Sequence, residues 1–153
     1  MKRLFVITLC LFLLLSVSAS AAGNPVLLNK DGIKIVAKDA RYEYSSLLKQ
    51  HRLYFDVIVT NDTKKDYTVT CTKGYIDGWE IEGQAYINIS AGMKKKEEVY
   101  LKLEGADITS ASALQGIKEL KIQFHLMQAD DILNSTNSTK KVNVDWVKSK
   151  VKP

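Results

Sequence analysis

Histidine and cysteine are nearly absent: the 153 residues hold two of each. With only His51 and His125 the usual general base is scarce, and catalysis needs convergent polar groups of matched pKa. No serine lies in a Gly-x-Ser-x-Gly turn, no His-Glu-x-x-His helix exists, and no glycine-rich phosphate loop occurs. These absences argue against an enzyme, and no catalytic, cofactor-binding or metal-binding residue is assigned. The adjacent acids Asp130 and Asp131 point apart on a turn, so they read as a solvated turn and not as a hydrolytic pair.

Long apolar runs are also missing, with one exception. Lys2 and Arg3 precede an apolar stretch from Leu4 to Val17 that ends in Ser18-Ala19-Ser20-Ala21-Ala22. A basic tip, an apolar middle and a small-residue exit make a secretory signal peptide over residues 1–22, cut after Ala21 or Ala22. The run is shorter than the roughly 20 residues that span a bilayer, so no transmembrane anchor is expected after cleavage. Cys10 sits in mid-run after Ile7-Thr8-Leu9 with no small residues before it, which argues against a lipid anchor. Its loss leaves Cys71 alone, without an intramolecular disulfide partner, and a secreted domain without disulfides points to a bacterial source. Cys71 alternates with threonines beside Tyr67 and Val69, which places the thiol on the apolar face of a strand as a core group.

Charge of one sign is not in large excess. The formal net charge of +5 falls to +3 once Lys2 and Arg3 leave with the signal. Most of the surplus lies in Lys94-Lys95-Lys96 and in the tail from Lys140-Lys141 to Lys152. Such small clusters read as solvated surface, and nothing implies a nucleic-acid partner. The four Asn-x-Ser/Thr triplets at Asn61, Asn88, Asn134 and Asn137 would accept glycans in a eukaryotic secretory protein and mean little in a bacterial one.

What the chain does have is alternation. Apolar residues recur at every second position, the period of a strand. Strands are expected at Gly32 to Lys38 and onward toward Tyr42, over Leu53 to Thr60, and from Asp66 to Thr72. Others are expected at Tyr75 to Trp79 as a short edge, Gln84 to Ile89, Glu97 to Leu103, Leu120 to Met127, and at Val142 and Val144. The stretch Asn134 to Thr139 reads as a polar loop. One short helix is expected over Asp107 to Leu114, capped by Asp107 or Thr109 and closed by Gly116.

Seven or eight short strands with one helix predict an all-β fold, a two-sheet antiparallel immunoglobulin-like sandwich over residues 23–147 followed by a basic disordered tail, 148–153. The expected core is Ile33, Ile35, Leu53, Phe55, Val57, Val59, Val69, Val99, Leu101, Leu120, Ile122, Phe124 and Val142, with Trp79 or Trp146 covering an open end.

Three segments carry a family resemblance: Val59 to Lys65 at a strand end, Ser90-Ala91-Gly92-Met93-Lys94 before a strand, and Gly116 to Ile122 opening the late long strand. Through them the chain resembles the immunoglobulin-like domains of secreted proteins and lipoproteins of Gram-positive, clostridial-type bacteria. That resemblance spans about Asn24 to Val144 and implies a secreted or envelope β-sandwich without implying a reaction. The lipoprotein members carry a cysteine at the cleavage site, which this chain lacks.

The expected function is therefore a secreted, non-enzymatic interaction or accessory module of the bacterial cell envelope, its partner an envelope protein or polysaccharide. The alternative is a small-ligand binder. Carbohydrate would stack on exposed aromatics among Tyr42, Tyr44, Tyr54, Tyr75, Trp79, Tyr86 and Tyr100. Copper would use His125 and Met127, whose two-residue spacing puts imidazole and thioether on one strand face.

Overall fold

A computed structural model describes residues 23–153. The expected signal peptide and Cys10 lie outside the described residues. Eight strands run antiparallel: β1 Val26–Lys30, β2 Ile33–Ser45, β3 Gln50–Asn61, β4 Tyr67–Ile76, β5 Trp79–Ile89, β6 Lys94–Lys102, β7 Leu120–Gln128 and β8 Asp131–Val142. Among the described residues two short α-helices, α1 Ala111–Leu114 and α2 Val144–Lys150, and a single 3-10 turn over Glu104–Ala106 accompany the strands. The strands form one sheet in the order β1-β2-β3-β6-β5-β4-β7-β8. Its ends come round to each other, where Lys30 Nζ donates to the Asn137 carbonyl at 3.2 Å and Thr136 Oγ1 to Asp31 at 3.0 Å. The sheet is thus nearly closed.

The seam between β5 and β6 is narrow. Only Gly83↔Leu101 and Gln84↔Tyr100 pair across it. Gly83 is required at this junction, since a Cβ there would lie 2.6 Å from Cys71 Sγ and 3.1 Å from the Lys73 amide nitrogen. Gly74 likewise admits Leu101, whose Cδ2 would stand 2.9 Å from a Cβ. Both glycines lie inside strands because neighbouring side chains need the room.

All thirteen expected core residues are buried. Two hairpins turn through Asp31-Gly32 and Asp77-Gly78, each with φ positive at both positions, the geometry that matches strand twist in a two-residue loop.

Three expectations are corrected, and a fourth, left open between two tryptophans, is resolved. The polar stretch 134–139 lies within β8, where Ser135, Asn137 and Thr139 pair with Met127, His125 and Gln123; β7 supplies the ladder that the local sequence does not signal. The tail is not disordered. Asn143 Oδ1 accepts from the Trp146 amide at 3.1 Å to cap α2, and Trp146, Val147 and Val151 are buried. Helix α2 packs against β2, and Lys150 meets Asp39 at 3.8 Å, so the chain end helps to close the sheet. The expected single helix shrinks to α1 and is capped by Ser110, whose Oγ accepts from the Ala113 amide at 3.1 Å. Of the two tryptophans, Trp146 covers the core, while Trp79 is 67% exposed.

Candidate functional site

Two rims close this near-barrel, and they differ in chemistry. The first holds the 31–32, 62–66, 90–93 and 129–130 connections. Asn61 organises it from full burial. Its amide nitrogen donates to the Lys65 carbonyl at 2.7 Å and the Ile89 carbonyl at 3.2 Å, and its Oδ1 accepts from Thr63 N and Oγ1 at 3.0 and 2.7 Å. Every hydrogen-bonding position of that amide is used, so the Asn-x-Thr triplet here is a structural lock and its nitrogen is not accessible.

The second rim holds the 46–49, 77–78 and 103–119 connections and the start of α2. The β2–β3 hairpin carries Leu47, 90% exposed, with Leu48 and Tyr44 also exposed, and Trp79 stands on the β4–β5 hairpin of the same rim. Beside Trp79, Ile76, Ala106, Ile108 and Ile117 line a small pocket of about 200 Å³. A polar cluster braces the first hairpin: Tyr42 Oη lies 2.5 Å from His51 Nδ1 and donates to the Thr109 carbonyl at 3.0 Å, while the His51 amide donates to Glu104 at 2.5 Å. Tyr44 packs on the His51 ring with centroids 4.7 Å apart. Burial, with Glu104 and Tyr44 nearby, pushes the Tyr42 hydroxyl's pKa up, so this phenol stays protonated as a hydrogen-bond donor.

The two outer sheet faces also differ. On β2, β3 and β6, Arg41, Tyr54 and Tyr100 stand in one register row. The Arg41 guanidinium lies 4.6 Å from the Tyr54 centroid and that of Arg52 lies 4.4 Å from Tyr100, with the two rings 5.1 Å apart. Arg41 also pairs with Asp56 and Glu43 at 2.6 Å and with Glu98. Burial opposes its charge, but the carboxylate hydrogen bonds outweigh that and raise its pKa. This ladder is satisfied within itself: Tyr54 and Arg52 are buried although they face outward.

On β4, β5, β7 and β8 the outer face carries hydroxyls and amides. Tyr86, Thr70, His125 and Asn137 form one row, and Asn88, Thr68, Met127 and Ser135 the next. Tyr86 is 70% exposed.

His125 and Met127 therefore share the face that their spacing implies. His125 Nδ1 lies 3.0 Å from Asn137 Oδ1, and among the described residues no three His, Cys, Asp or Glu side chains are placed to hold a metal. Of the seven aromatics expected to offer stacking surface, Tyr44, Trp79 and Tyr86 are exposed, Tyr54 is buried, and Tyr42, Tyr75 and Tyr100 are half-buried. Cys71 is free and buried, and desolvation pushes its thiol pKa up to about 12. The exposed Leu47-Leu48 tip went unnoticed in the sequence, although two leucines in a polar turn after Ser45-Ser46 are the signal that marks it. No described helix is long and apolar enough to cross a membrane.

No protein-family profile matches the chain, and no curated protein matches it. Among solved structures it is similar to a FixG-related protein from Vibrio parahaemolyticus, at 13% identity over 72% of this chain and 94% of that chain, with a TM-score of 0.38. A likeness that loose carries no argument about function.

Proposed function

We propose that this chain is a secreted, non-enzymatic interaction module of the bacterial cell envelope, built on an immunoglobulin-like two-sheet sandwich. Its binding surface is the rim that bears Tyr44, Leu47, Leu48 and Trp79. The observation that carries the reading is the Leu47-Leu48 tip: large apolar side chains presented to water on a braced hairpin mark a contact surface. Export is supported by the N-terminal pattern of Met1 to Ala22. The sandwich reading is supported by the two-pair β5–β6 junction, which divides the strand order into β1-β2-β3-β6 and β5-β4-β7-β8. The 62–66, 90–93 and 103–119 connections each pass from one half to the other, as Greek-key connections do.

A photo-cross-linking amino acid at Leu47, in protein expressed in its native host, tests the reading. The expected result is one discrete envelope adduct from position 47 and none from Asn88 on the polar sheet face. Equal adducts at both positions, or none at position 47, overturn it. Export is checked by the mass of the protein in the extracytoplasmic fraction, which should begin at residue 22 or 23.

Carbohydrate is a second reading, favoured by Tyr86 standing exposed beside Thr70, His125 and Asn137, a row without acids or lysines. A glycan array probed with wild type and Tyr86→Ala separates it from the first: the rim reading expects no glycan signal that Tyr86 controls.

A further inference from the structure

We propose that the groove between residues 116–118, the end of β8 and helix α2 binds a linear, phosphate-bearing polyanion. This inference rests on the groove alone and stands whether or not the apolar hairpin holds a partner.

The groove measures about 830 Å³ and takes lysines from three separate elements: Lys118, Lys140 with Lys141, and Lys148. Asp145 is the sole acid among the residues that line it. Lys141 is engaged by Glu119 at 3.2 Å, and Glu119 also holds Lys121 at 2.9 Å. Among the described residues Lys118, Lys140 and Lys148 form no ion pair, whereas Lys65, Lys73, Lys95, Lys102 and Lys150 each have a carboxylate within 4 Å. Gathering like charges in one concavity raises the local potential and concentrates counter-ions there. A multivalent anion that meets several lysines at once releases the counter-ions of all of them.

Both walls of the groove are fixed without a ligand. Asp77 Oδ1 accepts from the backbone amides of Lys118 at 2.8 Å and Glu119 at 2.7 Å. Gln115 Nε2 reaches across to the carbonyls of Lys148 at 3.3 Å and Val151 at 2.7 Å, tying the 103–119 connection to α2. The lysine backbones are therefore preorganised, and only the flexible ends of the side chains order on binding. The cations are all lysines, without an arginine fork for planar bidentate recognition of one carboxylate. Point charges of this kind read charge density along a phosphate chain.

The built-in comparison is the trio Lys34, Lys94 and Lys96. Lys34 and Lys94 both pair in register with Thr60, and Lys96 pairs with Ile58. This trio carries the same charge on the outer face of β2, β3 and β6, where Lys96 borders a depression of about 740 Å³ that Asp56, Glu97 and Glu98 also line.

The test is fluorescence anisotropy of the purified chain with long-chain inorganic polyphosphate. Saturable binding should weaken at least tenfold in Lys118→Gln/Lys140→Gln/Lys148→Gln and less than twofold in Lys34→Gln/Lys94→Gln/Lys96→Gln. Five of the six side chains are exposed and Lys148 is half-buried, and unchanged thermal melts of both triple variants confirm that each is folded. Equal weakening in the two variants, or no saturable binding, overturns the site. Vesicles containing phosphatidylglycerol and inorganic monophosphate form separate arms. Polymer binding without vesicle binding supports the polymer, whereas vesicle binding lost in the groove variant reassigns the groove to lipid headgroups and overturns the polymer claim.

Discussion

The two rims of this protein spend their side chains differently. At the Asn61 rim the connections are short and one buried amide satisfies the crossover between β3 and β4 and the end of β5, so the polar groups face inward. At the opposite rim one connection, 103–119, is much longer, Leu47, Leu48 and Trp79 stand in water as Met93 and Leu133 do near the first rim, and closure is delegated to helix α2. A nearly closed sheet can leave one end free for contact when the other end and the core hold the strands. Apolar exposure is tolerated where the backbone is secured from elsewhere, as Glu104, Thr109 and His51 secure the β2–β3 hairpin.

The most severe way to break the comparison is to delete residues 144–153. This exposes the contacts of Trp146, Val147 and Val151, at about 1.5 to 3 kcal/mol for each side chain withdrawn. A total of about 5 to 9 kcal/mol rivals the whole stability of a typical domain, about 5 to 15 kcal/mol. The truncated chain should lose its cooperative thermal transition, and a melt within a few degrees of wild type would show that α2 is an accessory.

Asn61→Ala strikes the other rim. It removes the Asn61 partner of the Ile89 carbonyl and the Thr63 amide and leaves the Lys65 carbonyl only its bond from Thr63 Oγ1, and should cost about 2 to 4 kcal/mol in a urea melt, since each buried polar group left unpaired costs about 1 to 3 kcal/mol. A smaller loss than that of an exposed control such as Asn88→Ala would remove Asn61 from its place as the lock.

Cys71 lies between the rims and reports on the fold as a whole. Its pKa is raised from 9.0 to about 12 by burial, so the folded chain keeps a proton that the unfolded chain releases. Its contribution is complete below pH 9 and is lost as pH rises toward 12, with a slope of at most about 1.4 kcal/mol per pH unit. Stability measured by urea at pH 8 to 11 should therefore fall less steeply in Cys71→Ala than in wild type. The native thiol should also react slowly with a water-soluble reagent and rapidly after denaturation.

The smallest effect on stability belongs to the exposed tip. Leu47→Ser with Leu48→Ser should change stability by no more than about 0.5 kcal/mol, the usual range for surface substitutions, while reducing capture of any partner held by the rim. A large loss of stability would mean that the leucines belong to the core after all.

Strand faces were legible wherever alternation is carried by large residues. Leu53, Phe55, Val57 and Val59 on β3, and Leu120, Ile122 and Phe124 on β7, point inward as their spacing requires. Elements whose order comes from their neighbours were hidden. In β8, serine, threonine and asparagine have turn chemistry, yet β7 offers a full ladder that makes them extended. In α2, the spacing of Val144, Val147 and Val151 is too short a helical signal to stand out among lysines, and it acquires meaning only where it meets β2. The rim was half legible: Trp79 could be named as exposed or covering, but not assigned to either. The basic groove was invisible because Lys118 lies more than twenty residues from Lys140, and only the β7–β8 pairing brings them together.

The narrow β5–β6 seam has a consequence for life at high concentration. Because β5 and β6 pair only near Leu101 and Tyr100, the β6 edge from Lys94 to Glu98 has no ladder partner on that side among the described residues. An open strand edge is a template on which a second copy can nucleate a shared sheet. Here the edge reads Lys-Lys-Lys-Glu-Glu, and a neighbour docking in either antiparallel or parallel register must desolvate several charges. The run that reads as ordinary solvated surface thus serves as a gatekeeper against fibril growth. Replacing Lys94, Lys95 and Lys96 with valine should leave the fold in place while turning a monodisperse solution into one that seeds thioflavin-positive aggregates.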